Sequence, residues 1–94
     1  MEDIVYYNEL YDLYGELLTD TQKKYFEDYY FHNLSFSEMA ENYDVSRNAV
    51  FKQLHIVLDK LDEYEKVLKL KEKKEKILKI VDNTEYYEKI DEIL

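Results

Sequence analysis

Ninety-four residues with 13 basic and 22 acidic side chains carry a formal net charge of -9, which fits one small acidic domain and excludes most multi-site enzymes. Cysteine is absent, so disulfide frameworks, thiolate nucleophiles and cysteine zinc sites are excluded together. Proline is also absent and glycine occurs once, at Gly15, so hairpin turns and glycine-rich phosphate loops have almost nothing to be built from and an all-α chain is expected.

Ile4, Tyr7, Tyr11, Tyr14 and Leu18 recur at helical spacing, widened by Leu10, Leu13 and Leu17, and predict an amphipathic first helix. Thr19 precedes Gln22 by three residues, a capping-box spacing that opens a second helix from Asp20 to about His32 with Tyr25, Phe26, Tyr29 and Tyr30 on its apolar side. Asn33 and Leu34 break the pattern before Ser35, which has Glu38 three residues on and starts a short third helix carrying Phe36, Met39, Ala40 and Tyr43. That helix should stop between Asn42 and Asp44, residue types that tolerate left-handed backbone.

Ser46 opens the fourth helix, and from Arg47 onward nothing forbids helix for over thirty residues. Val50, Leu54, Val57, Leu61, Tyr64 and Leu68 form a heptad-like seam that fails at the run KEKKEK, where a kink or solvated stretch is expected between Lys71 and Lys76. Asp82 with Glu85 would cap a sixth helix containing Tyr86, Tyr87, Ile90, Ile93 and Leu94. The charge is lopsided, since residues 1–45 hold two lysines and eleven acids while residues 46–94 hold eleven of each sign. The start MEDIVYYNEL is acidic where a signal peptide is basic, and no apolar run is long enough to span a bilayer, so a cytoplasmic protein without membrane contact is expected.

The segment SFSEMAENYDVSRNAVFKQLH, Ser35 to His55, reads as a helix-turn-helix. Ala40 is the small residue needed where the two helices touch, Asp44 stands where glycine is commonest, and Val45 is expected to plug the space between the helices. Ser46 would cap the second helix, with Arg47 and Asn48 in its first turn, Val50 and Leu54 inward, and Phe51, Lys52 and His55 outward. In a major groove Arg47 can pair with guanine, Asn48 or Gln53 with adenine, and Lys52 with phosphate. The competing reading is an ordinary solvated face, and the net charge of -9 opposes phosphate binding.

The run LTDTQKKYFEDYYFHNLSFSEMAENYDVSRNAVFKQL, followed by LDEYEKVLKLKEK, resembles the YlxM family of small bacterial helix-turn-helix proteins, whose fold is similar to the fourth region of sigma-70-type initiation factors. The likeness runs from about Ile4 to Ile80 and rests on the Leu18 to Gln22 entry, the Tyr29 and Tyr30 pair, the VSRNAV core and the LDEYE segment from Leu61. Phe51 stands where the family pattern suggests tyrosine, and the tail after Val81 departs from it. The resemblance implies an all-α helix-turn-helix of the sigma region 4, winged-helix-like three-helical type with extra N- and C-terminal helices. One domain is then expected over residues 1–94, its core at 19–64 and a helical extension at 65–94.

It also implies regulation linked to the signal recognition particle, because genes of the family neighbour those for that particle's GTPase and its receptor. Two readings stay open. In one, Ser46, Arg47, Asn48, Phe51, Lys52 and His55 meet DNA; in the other, the fold binds the particle's RNA or its GTPase without specific DNA recognition. A third class, a scaffold or homodimer through the C-terminal helices, draws on the apolar surplus Tyr64, Val67, Leu68 and Leu70. The eleven tyrosines read as core or interface residues whose hydroxyls reach water, not as base-stacking platforms. His32 and His55 are isolated, so no metal or other cofactor is expected, and no nucleophile with a neighbouring base suggests an enzyme. The lysines from Lys66 to Lys79, net +5 with Glu72 and Glu75, read either as a face laced by i,i+4 pairs such as Glu72 with Lys76 and Glu75 with Lys79, or as a phosphate contact.

Overall fold

Short-range side-chain caps set most of the helix starts in the computed structural model, which describes residues 3–81. Asp3 accepts from the Tyr6 N–H at 3.0 Å and opens α1, Ile4–Tyr14. Thr19 accepts from the Gln22 N–H while the Gln22 side chain accepts from the Thr19 N–H, a closed capping box that begins α2, Asp20–Tyr30. Ser35 and Glu38 repeat the device for α3, Phe36–Tyr43. Ser46 accepts from the Ala49 N–H at 3.0 Å and starts α4, Arg47–Leu68, which is followed by α5, Leu70–Val81. The expected sixth helix beyond Asp82 lies outside the described residues.

Three ends differ from the sequence-based expectation. Helix α1 stops at Tyr14 and tightens into a 3-10 turn, Gly15–Leu17, so Leu18 reaches the core from extended backbone instead of from the helix. A Cβ on Gly15 would meet the Tyr11 ring at 3.2 Å, the close approach that makes glycine fit there. Helix α2 stops at Tyr30, two residues before His32, because Asn33 turns left-handed at φ 55° and the Leu34 N–H returns to the Asp28 carbonyl at 3.0 Å. The third difference is at the α4–α5 junction. The chain bends at Lys69, φ 54°, and α5 then runs unbroken through Lys71 to Lys76, so the stretch where a kink or a solvated run was expected holds no kink, and Glu72, Lys73, Glu75 and Lys76 in it are exposed.

That bend has no proline or glycine behind it and is made by distant partners. The Tyr14 hydroxyl donates to Glu65 Oε1 at 2.6 Å and accepts from the Leu70 N–H at 3.0 Å. Glu65 also accepts from the N–H groups of Lys71 and Glu72, so its carboxylate caps the first turn of α5, where the helix dipole favours negative charge. Lys71 then pairs with Glu9 at 3.2 Å, tying α5 back to α1.

Two apolar clusters result. Leu10, Tyr14, Leu18, Phe26, Val57, Leu58 and Leu61 join α1, α2 and the C-terminal half of α4, while Tyr25, Met39, Ala40, Val50 and Leu54 join α2, α3 and its N-terminal half. The heptad-like seam therefore packs inside one chain from Val50 to Leu61, and only Leu68 at its end is exposed. Among the described residues four tyrosines donate to carboxylates instead of reaching water alone: Tyr7 to Asp62 at 2.9 Å, Tyr11 to Glu27, Tyr14 to Glu65, and Tyr43 to Asp28. Burial first and these acceptors second push the Tyr14 phenol up to about 12 and raise those of Tyr7, Tyr11 and Tyr43 as well.

Candidate nucleic-acid interface

Helices α3 and α4 meet through a turn closed by backbone alone. Asp44 sits at φ 55°, its N–H reaches the Glu41 carbonyl, and the Val45 N–H donates to the Ala40 carbonyl at 3.0 Å, the paired bonds of a Schellman-type helix end. Ala40 is buried at the contact as expected. Val45 does not plug the interhelical space: it is 40% exposed, and the volume is filled by Met39, Val50 and Leu54 with Leu34 and Tyr43 at the margin. The hydrogen bonds of the turn fix the Val45 backbone, and this leaves its side chain facing outward.

From Ser46 the first turns of α4 present the predicted residues as one surface. Val50 and Leu54 are fully buried, whereas Ser46, Arg47, Asn48, Phe51, Lys52 and His55 are all exposed. At about 100° per residue, positions 47, 48, 51, 52 and 55 fall within roughly 140° of the helix circumference, so a single groove wall could meet them together. Among the described residues neither Arg47 nor Lys52 makes an ion pair. The Arg47 and Asn48 N–H groups belong to the unfilled first turn of a 22-residue helix, which adds partial positive charge toward an incoming phosphate.

Two features of this face were not read from the sequence. Phe51, 42% exposed, touches His55 edge-on at 4.4 Å between ring centroids and lies 6.0 Å from Phe36, itself stacked on Tyr29. An aromatic ridge thus crosses from α2 and α3 to the middle of the exposed face; the signal for it, Phe36 and Phe51 on different helices, is invisible to one-dimensional periodicity. Asp59 is the second feature. It is exposed one turn after His55 on the same side of α4 and places a carboxylate where phosphate contact would otherwise continue.

Among the described residues no group of three or more His, Cys, Asp or Glu side chains could hold a metal ion, and no helix is long and apolar enough to cross a membrane. A groove of 470 Å³ lies between α1 and α5, lined by Glu9, Asp12, Leu13, Lys71, Lys74, Glu75 and Leu78 and far along the chain from the turn.

The family profile described as "Putative helix-turn-helix protein, YlxM / p13 like" matches residues 1–93. Among curated proteins, a UPF0122 protein of Caldanaerobacter subterraneus subsp. tengcongensis is 38% identical over 86% of this chain and 69% of its own length. Another from Mycoplasma capricolum subsp. capricolum is 38% identical over 90% of this chain and 75% of its own. A UPF0122 protein of Shouchella clausii is 46% identical over 70% of this chain and 61% of its own.

Proposed function

The chain belongs to the YlxM/p13-like family of helix-turn-helix proteins, and from that premise we propose that it is a cytoplasmic DNA-binding regulator whose recognition helix is the N-terminal half of α4. The observation that carries the reading is the exposed set Ser46, Arg47, Asn48, Phe51, Lys52 and His55 on one side of a helix whose other side is locked by Val50 and Leu54. Ser46 fixes the helix start, Arg47 and Asn48 supply the bidentate geometries that distinguish guanine and adenine, and Lys52 supplies phosphate charge. Phe51 and His55 form an apolar edge suited to a thymine methyl. A sigma region 4-like arrangement, which the family resemblance implies, would dock in the same way. No catalytic role is assigned.

A second reading has its own support. Residues 1–45 carry essentially all the net negative charge and include α3, and that field opposes duplex binding. On this reading the chain regulates the signal recognition particle through that particle's RNA or GTPase, and the Phe36 to Phe51 ridge is a protein contact. A homodimer through the end of α4, where Val67 and Leu68 are exposed, is compatible with both.

The two readings separate on one titration. A selected duplex should lose preference for its sequence with Arg47→Ala and lose affinity evenly across sequences with Lys52→Ala, which also lowers the salt slope by about one. Indifference to both substitutions, with binding to the particle's RNA or GTPase retained, would replace the first reading with the second.

A further inference from the structure

The lysine-rich stretch is not one patch, because the bend at Lys69 sorts its lysines onto two sides. Lys71 and Lys74 are half-buried and line the groove against α1, where Lys71 pairs with Glu9 at 3.2 Å and with Glu75 at 2.5 Å. Lys66, Lys69, Lys73, Lys76 and Lys79 are exposed. On α5, Lys73, Lys76 and Ile80 fall within about 60° of one another and roughly opposite Lys74 and Leu78. Lys69 stands at the start of the same line and Lys66 just across the bend. Lys76 pairs with Glu72 at 3.2 Å, whereas Lys66, Lys69 and Lys73 make no ion pair among the described residues.

We infer that this outward lysine ridge is a second contact surface, separate from the recognition face, and that it takes the phosphate backbone of a nucleic acid. Helix α4 is 22 residues long, so the ridge lies about 30 Å from Arg47, several Debye lengths away at ordinary salt. The partner class follows from what surrounds the lysines. A membrane-surface helix needs a free apolar face, and that of α5 is committed: Leu70 packs against the α1 cluster, and Leu78 lines the groove beside Leu13. An acidic protein would need an apolar or aromatic anchor set among the charges to bind firmly, and the exposed apolar side chains stand at the two ends of the row, Val67 and Leu68 at the bend and Ile80 at the far end, not between Lys73 and Lys76. A phosphate backbone needs only the row of charges.

The Tyr14–Glu65 corner gives the ridge its aim. Glu65 collects the N–H groups that start α5 and so fixes which lysines point away from α1. Glu9 of α1 meanwhile pairs with the inner Lys71.

The test uses the full chain with labelled mixed-sequence duplex RNA and duplex DNA, and with anionic phospholipid vesicles, at ~50 and ~200 mM salt. Lys66→Gln with Lys73→Gln should lower the salt slope by about two and weaken binding at low salt by roughly tenfold, without changing any sequence preference. Lys71→Gln should leave the slope unchanged while lowering thermal stability, since that lysine faces α1. Equal loss from the inner and outer substitutions would overturn the inference, as would unchanged binding by the double variant or binding to vesicles alone. Sequence preference lost only with Arg47→Ala reports separately on the recognition face, so either surface can fail while the other stands.

Discussion

Single side chains carry the sharpest consequences. Asp59 lies at the edge of the exposed face of α4, and replacing it with asparagine should tighten duplex binding modestly, more at low salt than at high, and so steepen its salt dependence in the same titration. Tyr14 is 1% exposed, with its hydroxyl joining Glu65 to Leu70. Tyr14→Phe leaves the Leu70 N–H and one carboxylate lone pair without that partner, and should cost about 1–3 kcal/mol in urea unfolding. The same residue sets a pH response. Its phenol titrates at about 12 in the folded chain against 10.0 when unperturbed, so the folded state holds its proton more tightly. Stability from this group is complete below the unperturbed value and is lost as pH rises from 10 toward 12. Tyr7, Tyr11 and Tyr43 shift in the same direction and add to the loss. Helical circular dichroism should therefore hold level up to pH 10 and fall above it, in step with tyrosinate absorbance.

Among the elements, the α4–α5 junction is the one whose behaviour is least intuitive. Lysine in the left-handed region costs roughly 1 kcal/mol, a cost that glycine avoids. Lys69→Gly should raise the thermal midpoint, because residue 69 sits at φ 54°. A continuous α4–α5 helix would instead lose about 1 kcal/mol from glycine in its interior. The sign of the change thus reports on the bend itself. Sequence reasoning missed this corner for a physical reason. Its determinants are Tyr14 and Glu65, 51 positions apart, and no helix-breaking residue marks the site. The starts of α2, α3 and α4 were legible because each is written within four residues, as Thr19 with Gln22, Ser35 with Glu38, and Ser46 before Ala49. Val45 was misread because apolar character alone does not say which way a turn residue faces once the backbone bonds around it are fixed.

For the whole molecule, charge placement matters more than its total. A net charge of -9 opposes nucleic acid, and Glu27, Asp28, Asp62 and Glu65 keep their charge while accepting from tyrosine hydroxyls, whereas Glu9 is offset by Lys71. Among the described residues most exposed cations gather at two ends of the long α4, Arg47 and Lys52 at one and Lys66, Lys69, Lys73, Lys76 and Lys79 at and beyond the other, with Lys24 apart on α2. The helix-turn-helix and its outward face could be anticipated from spacing and from the family resemblance. The division of the lysine run into inner and outer sides could not, because it depends on where α5 docks. The central claim, that the N-terminal half of α4 meets DNA, is tested most directly by titrating the wild-type chain, Arg47→Ala and Lys52→Ala against random and selected duplexes at ~50 and ~200 mM salt. The account predicts salt-dependent binding by the wild-type chain, with sequence preference lost in Arg47→Ala and affinity lost evenly in Lys52→Ala. Equal binding by all three chains, or none by the wild type at the lower salt, would contradict it.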